Sequence, residues 1–286
     1  MNLASATGER LGDLVAAACT AGKAKTGLEI LKAAALVRTE FSGVAEPAAP
    51  VLISRGDDRP VLVLFPSLAA LSSPAEDAAL SEPLGGVQTA YALPQPGFVD
   101  AEPLPGELES AIANQCRAVH RCVGAAVRPV RALLRRLDRA RRGAPTRRRG
   151  AASGWPDPAR FLLAGPDPRR SGPPRLLERL ADPSLPVGLA DAGVTRVSAM
   201  GGCLRLDGWI PPQITTPTLF VLASIPLAAD LRPAQWQLPH DLVTVDSDHL
   251  DLLTTHATAT ASAIEHWLTE TISLIHQGNA LPALGA

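Results

Sequence analysis

The stretch RALLRRLDRARRGAPTRRRG, residues 131–150, limits the fold more than any other, because nine of its twenty residues are arginine. Guanidinium groups do not enter an apolar core unpaired: an uncompensated buried charge costs several kcal/mol. On both sides of this stretch the chain reads like a protein with a substantial interior. Hydrophobic residues make up 46% of its 286 positions, which excludes a disordered chain and suits one large domain or two small ones. The formal net charge is −1, so the whole-molecule field offers no case for nucleic acid or membrane, and the basic cluster must be judged by itself. The only lysines are Lys23, Lys25 and Lys32, whereas most arginines fall between Arg117 and Arg179.

No apolar run approaches the roughly 20 residues of a membrane helix. Residues 1–20 lack the basic and apolar regions of a secretory signal, and a cytoplasmic protein is expected. Cys19, Cys116, Cys122 and Cys203 form no C-x-x-C pair, which points to reduced, structural thiols and no metal site.

Residues 9–38 carry apolar side chains at helical spacing on each side of Gly22, and predict two short amphipathic helices. RPVLVLFPS (59–67) is a continuous apolar run ending in a turn, as a buried parallel strand would be. VQTAYAL (87–93) predicts a second strand and residues 105–122 an amphipathic helix. TPTLFVLAS (216–224) and HDLVTVDS (240–247) predict two more strands, and residues 258–277 a closing helix. Alternating strands and helices make the fold class α/β. Between about 125 and 185 the alternation lapses, and no strand is predicted there.

Three stretches carry a resemblance: ILKAAALVRTEFSG; then LVLFPSLAALSSP followed by ALPQPGFVDAEPLPGELES; and finally VSAMGGCLRLDGWIPPQITTPTLFVLAS with VDSDHLDLLTTHATATASAIEHWL. Together they resemble the chain-releasing thioesterase of modular type I polyketide synthases, over roughly residues 10–124 and 190–270. The resemblance implies an α/β-hydrolase, a mostly parallel sheet flanked by helices. It implies a division into a helical dimerisation segment (1–45) and a thioesterase domain (46–286), anomalous at about 125–185. It further implies a homodimer through the N-terminal helices, an acyl carrier protein or synthase module as partner, and no cofactor beyond the phosphopantetheine that carries the substrate. In such an enzyme the acyl chain passes to a serine and leaves by attack of water or an internal hydroxyl.

That chemistry needs a Ser-His-Asp triad and an oxyanion hole. His249, in DSDHLDLL after a predicted strand, matches the family's Gly-Asp-His-Phe-Thr motif except at Ser247, Leu250 and Asp251, and is the candidate general base. An isolated loop histidine is more often a surface residue, and it is the matching stretch that reverses that preference. His256 and His266 fall on or near the closing helix and read as solvated or packing residues, while His120, His240 and His276 have no such context. By the same analogy the loop after LVLF supplies oxyanion amides near Leu68 or Ala69, the alternative being an ordinary strand-to-loop turn.

A nucleophile elbow, G-x-S-x-G, occurs nowhere in the chain. The family places it soon after the helix that ends near Cys122, where the arginines begin. The genetic code offers a reason. Reading VRPVRALLRRLDRAR (127–141) from the second base of each codon allows Phe-Val-Leu-Tyr-Gly-(His or Arg)-Ser-Ser-Gly-Gly-Trp-Ile-Ala-His-Ala, a strand followed by the missing elbow. The serine codon straddles Leu133 and Leu134. In the same phase WPDPARFLL allows Gly-Leu-Thr-Leu-Leu-Asp-(Ser or Phe)-Tyr, which resembles the family's Leu-Leu-Asp-x-Tyr segment, with the aspartate codon across Arg160 and Phe161. Residues from about 125 to somewhere between 165 and 190 therefore read as the catalytic centre translated out of phase. The rival readings are a solvated arginine-rich insertion and a nucleic-acid or carrier-protein patch; the former patch would want interleaved aromatics, which Trp155 and Phe161 do not supply. Taken literally, the chain lacks serine and aspartate and is expected to fold poorly and to be inactive. Two other functions remain open: a non-catalytic relic that still docks a synthase or carrier protein, and a standalone editing thioesterase.

Overall fold

The computed structural model describes residues 10–43, 45–56, 61–65, 70, 76–123, 160–163, 173–183, 185, 188–206, 217–225, 239–248 and 251–276. Helix α1 (Leu11–Thr20) and helix α2 (Ala24–Leu36) form the expected pair, broken at Gly22, whose φ of +69° is a left-handed conformation that glycine adopts freely. Asp13 accepts a hydrogen bond from the Arg10 backbone N–H at 2.8 Å, satisfying a donor at the start of α1 with a favourable negative charge. Val15 and Cys19 of α1, and Leu31 and Ala35 of α2, are buried at i, i+4 spacing.

A two-residue strand β1 (Glu40–Phe41) leaves the hairpin, followed by β2 (Val51–Ser54), β3 (Leu62–Leu64), a short helix α3 (Ser81–Leu84) and β4 (Ala90–Ala92). Then come β5 (Leu104–Pro105), α4 (Leu108–Val123), β6 (Arg160–Leu163), α5 (Pro173–Leu180) and α6 (Val194–Cys203). Strands β7 (Thr218–Ile225) and β8 (Asp241–Asp248) and helix α7 (Ala257–His276) close the order. All four strands and all four helices anticipated from the sequence are present, with strands β1, β2, β5 and β6 and helices α3, α5 and α6 added. Strands β2, β4 and β3 form one sheet in that order, with β4 antiparallel to β2 and parallel to β3. Strands β6, β7 and β8 form a second sheet, parallel throughout, and β1 pairs with β5 in parallel. Parallel strands alternating with helices make the fold α/β.

The arginine-rich region departs from expectation in one respect. Residues 160–163 form strand β6, in register with β7 from Arg160↔Thr218 to Leu163↔Val221. Phe161-Leu162-Leu163 is too short an apolar run to be read as a strand by periodicity alone. Pairing with the buried β7 supplies what the local pattern does not. Helix α5 is likewise absent from the sequence reading. It opens on prolines, which the first turn tolerates, and buries Leu177 and Leu180.

Two cores organise the described residues. One joins Leu62 and Leu64 of β3, Ala90 and Ala92 of β4, Leu219 and Val221 of β7, Val245 of β8 and Ile264 and Trp267 of α7. The other is helical, and joins Val15, Leu31 and Ala35 of the hairpin to Phe98, Leu104, Leu177, Val197 and Met200. The N-terminal helices are thus packed into the molecule through α5, α6 and the loop before β5.

Candidate active site

Parallel α/β sheets open their sites at the carboxyl ends of the strands, where the connecting loops converge. The candidate general base belongs at such an end. Strand β8 stops at Asp248, and a turn beginning at Asp251 leads into α7. His249 lies outside the described residues, but the residues flanking it do not. Asp248 Oδ1 accepts a hydrogen bond from the Asp251 N–H at 3.0 Å, and the Asp248 carbonyl accepts from the same N–H at 3.3 Å. The Asp251 carbonyl in turn accepts from the N–H groups of Thr254 (3.2 Å) and His256 (3.0 Å). Positions 249 and 250 therefore connect two aspartates held by a hydrogen-bonded turn, at the C-terminal end of a parallel strand.

Strand β7 ends beside it, with Ile225 opposite Asp248, and Ser224 donates to Asp246 at 2.8 Å. Ser247, where the family motif has glycine, is buried at 3% exposure, and its Oγ has no hydrogen-bond partner among the described residues. Below the turn, buried Thr260 donates from Oγ1 to the Leu252 carbonyl at 2.8 Å, fixing the entry into α7. Trp267 Nε1 donates to Asp241 at 2.7 Å and ties the middle of α7 to the start of β8.

Leu68 and Ala69 also lie outside the described residues. Strand β3 ends at Leu64, Phe65 is half exposed, and Ala70 is fully buried in the helical core. The codons at Leu133 and Leu134 fall outside the described residues as well. The pair Arg160 and Phe161 opens strand β6. Of the remaining histidines, His266 forms an exposed i, i+4 pair with Glu270 at 3.4 Å, and His240 packs edge-on against Phe220 with ring centroids 5.3 Å apart. No group of three His, Cys, Asp or Glu among the described residues could hold a metal ion. No helix among them is long and apolar enough to cross a membrane.

The LPQPGF segment forms the tight turn its composition dictates. Gly97 has φ +85° after Pro96, and the Phe98 N–H donates to the Gln95 carbonyl at 3.1 Å, the pattern of a type II turn. Phe98 is buried behind it. Neither Ser247 nor the hydrogen-bonded turn at Asp248 was legible as a functional feature in the sequence; the serine-for-glycine difference was the one available signal.

No protein-family model matches the chain. It is 32% identical over 284 residues to the spectinabilin polyketide synthase system protein NorC of Streptomyces orinoci, covering 91% of this chain and 12% of that protein. It is 31% identical to the polyketide synthase GfsE of Streptomyces halstedii (91% and 7% covered) and 27% identical to the erythronolide synthase EryA3 of Saccharopolyspora erythraea (86% and 8% covered). The chain thus spans about a tenth of the length of the curated relatives it matches. Among solved structures, the Vlm2 thioesterase domain overlays 77% of this chain and 98% of its own at 15% identity and a TM-score of 0.47.

Proposed function

Because this chain is kin to one segment of modular polyketide synthase proteins, we propose that it derives from the thioesterase that releases their product, an α/β-hydrolase acting through an acyl-serine intermediate. The observation that carries the reading is the extent of the kinship, which runs along nine tenths of the chain. In this reading His249 takes the proton of the serine hydroxyl and returns it to the leaving thiol, then activates water or an internal hydroxyl for release. Amides near Leu68 and Ala69 hold the oxyanion. The substrate arrives on the phosphopantetheine of a carrier protein, and the outcome is hydrolysis or macrolactonisation.

The same reading assigns the arginine-rich region to translation out of phase, and the arrangement of strands supports it. Val51 and Leu52 of β2 and Leu242 of β8 are open to solvent at 42%, 37% and 55%, and we place β2 and β8, each terminal in its sheet among the described residues, at the outer edges. Strands β3 and β6 are then the inner edges, each paired on one side only among the described residues, while β3 and β7 contribute to one core. A central parallel strand between them would complete a continuous sheet, and the shifted triplets at 127–130 allow Phe-Val-Leu-Tyr. The chain as it stands lacks the nucleophile and is inactive as a thioesterase.

The N-terminal hairpin presents Leu14, Leu36 and Val37 at 49%, 64% and 87% exposure, which supports a homodimer through this face. The test is to sequence codons 118–195 from independent DNA and to assay two proteins, the present chain and one with the phase restored, on an acyl N-acetylcysteamine thioester. The restored protein should hydrolyse it about 10⁴-fold faster than the present chain, and His249→Ala should abolish the gain. Equal, His249-dependent hydrolysis by both would sink the phase reading, and inactivity of both would sink the thioesterase reading.

A further inference from the structure

Helix α6 is ten residues long, and no side chain caps its first turn at Gly193. A helix of this length is marginal by itself and must be held from outside. The holding groups come from the three residues that leave the hairpin. Arg38 Nη1 donates to the Thr195 carbonyl at 2.8 Å and to Ser198 Oγ at 3.2 Å, at the N-terminal end of α6. Arg205 Nη1 donates to Glu40 Oε1 at 2.6 Å, just past the C-terminal end. Two charged side chains two positions apart in β1 and its approach therefore reach both ends of the same helix.

The turn 97–102 joins the same assembly. Arg38 Nη2 donates to the Glu102 carbonyl at 2.5 Å, and Thr195 Oγ1 donates to Asp100 Oδ1 at 2.6 Å. The Leu104 N–H donates to the Thr39 carbonyl at 2.9 Å, and the Gly106 N–H to the Phe41 carbonyl at 3.0 Å. Within the turn, Ala101 holds a φ of +63°, unusual for a residue with a Cβ, and the Glu102 carboxylate accepts from the Gly97 N–H at 2.7 Å. A strained turn persists where its surroundings over-determine it. Arg38 contacts the turn and the helix with different nitrogens of one planar fork, a geometry lysine cannot reproduce.

We propose that Arg38 and Glu40 are a strap: positioning residues that lock α6 and the turn 97–102 onto the N-terminal hairpin, so that the three open and close as one unit. The strap is independent of the thioesterase reading, because none of its members is a candidate catalytic group. It makes the hairpin a determinant of where α6 sits.

The test is hydrogen exchange with peptide-level resolution on the full chain and on Arg38→Gln, Arg38→Lys and Glu40→Gln. Arg38→Gln should raise exchange together in residues 194–203 and 97–104, by about tenfold for loss of charge-assisted hydrogen bonds, with 218–248 unchanged. Arg38→Lys should recover only part of the protection, and Glu40→Gln should loosen 201–206 with the turn unaffected. The strap is overturned if the turn and residues 194–200 respond separately to Arg38→Gln, if that variant changes neither, or if Arg38→Lys restores full protection. Unprotected α6 in the unsubstituted chain, or loss spread equally over β7 and β8, also overturns it.

Discussion

Gly201 of α6 faces the Leu31 carbonyl of α2 so closely that a Cβ at position 201 would overlap it. Both residues lie in the helical core, and the obstacle is backbone, which cannot swing aside as the end of a flexible side chain would. Gly201→Ala should therefore force α6 off α2, at about 3 kcal/mol for overpacking. The comparison variant is Gly193→Ala, since nothing lies within 4 Å of a Cβ there. Urea unfolding of the two variants should separate them; equal midpoints would mean that α2 and α6 do not pack at this distance.

Trp267 Nε1 donates to Asp241 at 2.7 Å, and the indole is also 6% exposed in the sheet core. Trp267→Phe keeps most of the packing and loses the hydrogen bond to a carboxylate, an effect of about 1–2 kcal/mol. Trp267→Ala also opens a cavity, for about 3–5 kcal/mol in all. Chemical denaturation followed by far-ultraviolet circular dichroism would rank them, and a Phe variant as damaged as Ala would deny the packing its share.

The elements that the sequence made legible are those whose own pattern suffices. Strand β7 buries Thr218 through Val221 without a break, and helix α7 repeats apolar residues along twenty positions, so each announces itself locally. Strand β6 and helix α5 do not. The strand depends on register with β7, and the helix on Leu177 and Leu180 meeting the hairpin, which are tertiary facts that a single stretch of chain does not carry. The candidate site divides in the same way. His249 is a candidate through its motif alone, and the structure describes the strand end and turn that flank it. Unpaired Ser247 emerges only when the neighbours of β8 are known. The Arg38 strap was invisible because its partners lie 64 to 160 positions away.

Glu102 carries a pH dependence opposite to that of most carboxylates. Burial pushes its pKa above the ordinary value, more than the hydrogen bonds from Gly97 and Val99 and the charge of Arg38 pull it down. The folded chain then binds this proton more tightly than the unfolded chain. The group's contribution to stability is fully present below the unfolded pKa and is lost as pH rises through the folded one. Because the side chain is only partly buried, the effect is small. Glu102→Gln should flatten the slope of stability between the ordinary carboxylate range and the raised folded value. A variant whose slope matches the parent would show that Glu102 titrates normally.

The thiols offer a reading of the helical body that needs no activity. Burial pushes Cys203, at the end of α6, up to about 12, and Cys122, at the end of α4, up to about 11. Cys19, inside the hairpin, is also raised, by burial first and by Glu178 second. Alkylation requires the thiolate, so at pH 8 all three should react far more slowly than a free cysteine, with Cys203 the slowest. Cys203 is only partly exposed at the end of α6 and should become more accessible when that helix separates from its neighbours. Its labelling rate should therefore rise in Arg38→Gln by the same factor as amide exchange in α6, whereas Cys122 on α4 should not change. Mass-spectrometric counting of iodoacetamide adducts would follow each site, and acceleration at Cys122 equal to that at Cys203 would mean that the whole molecule, rather than the strapped unit, had loosened.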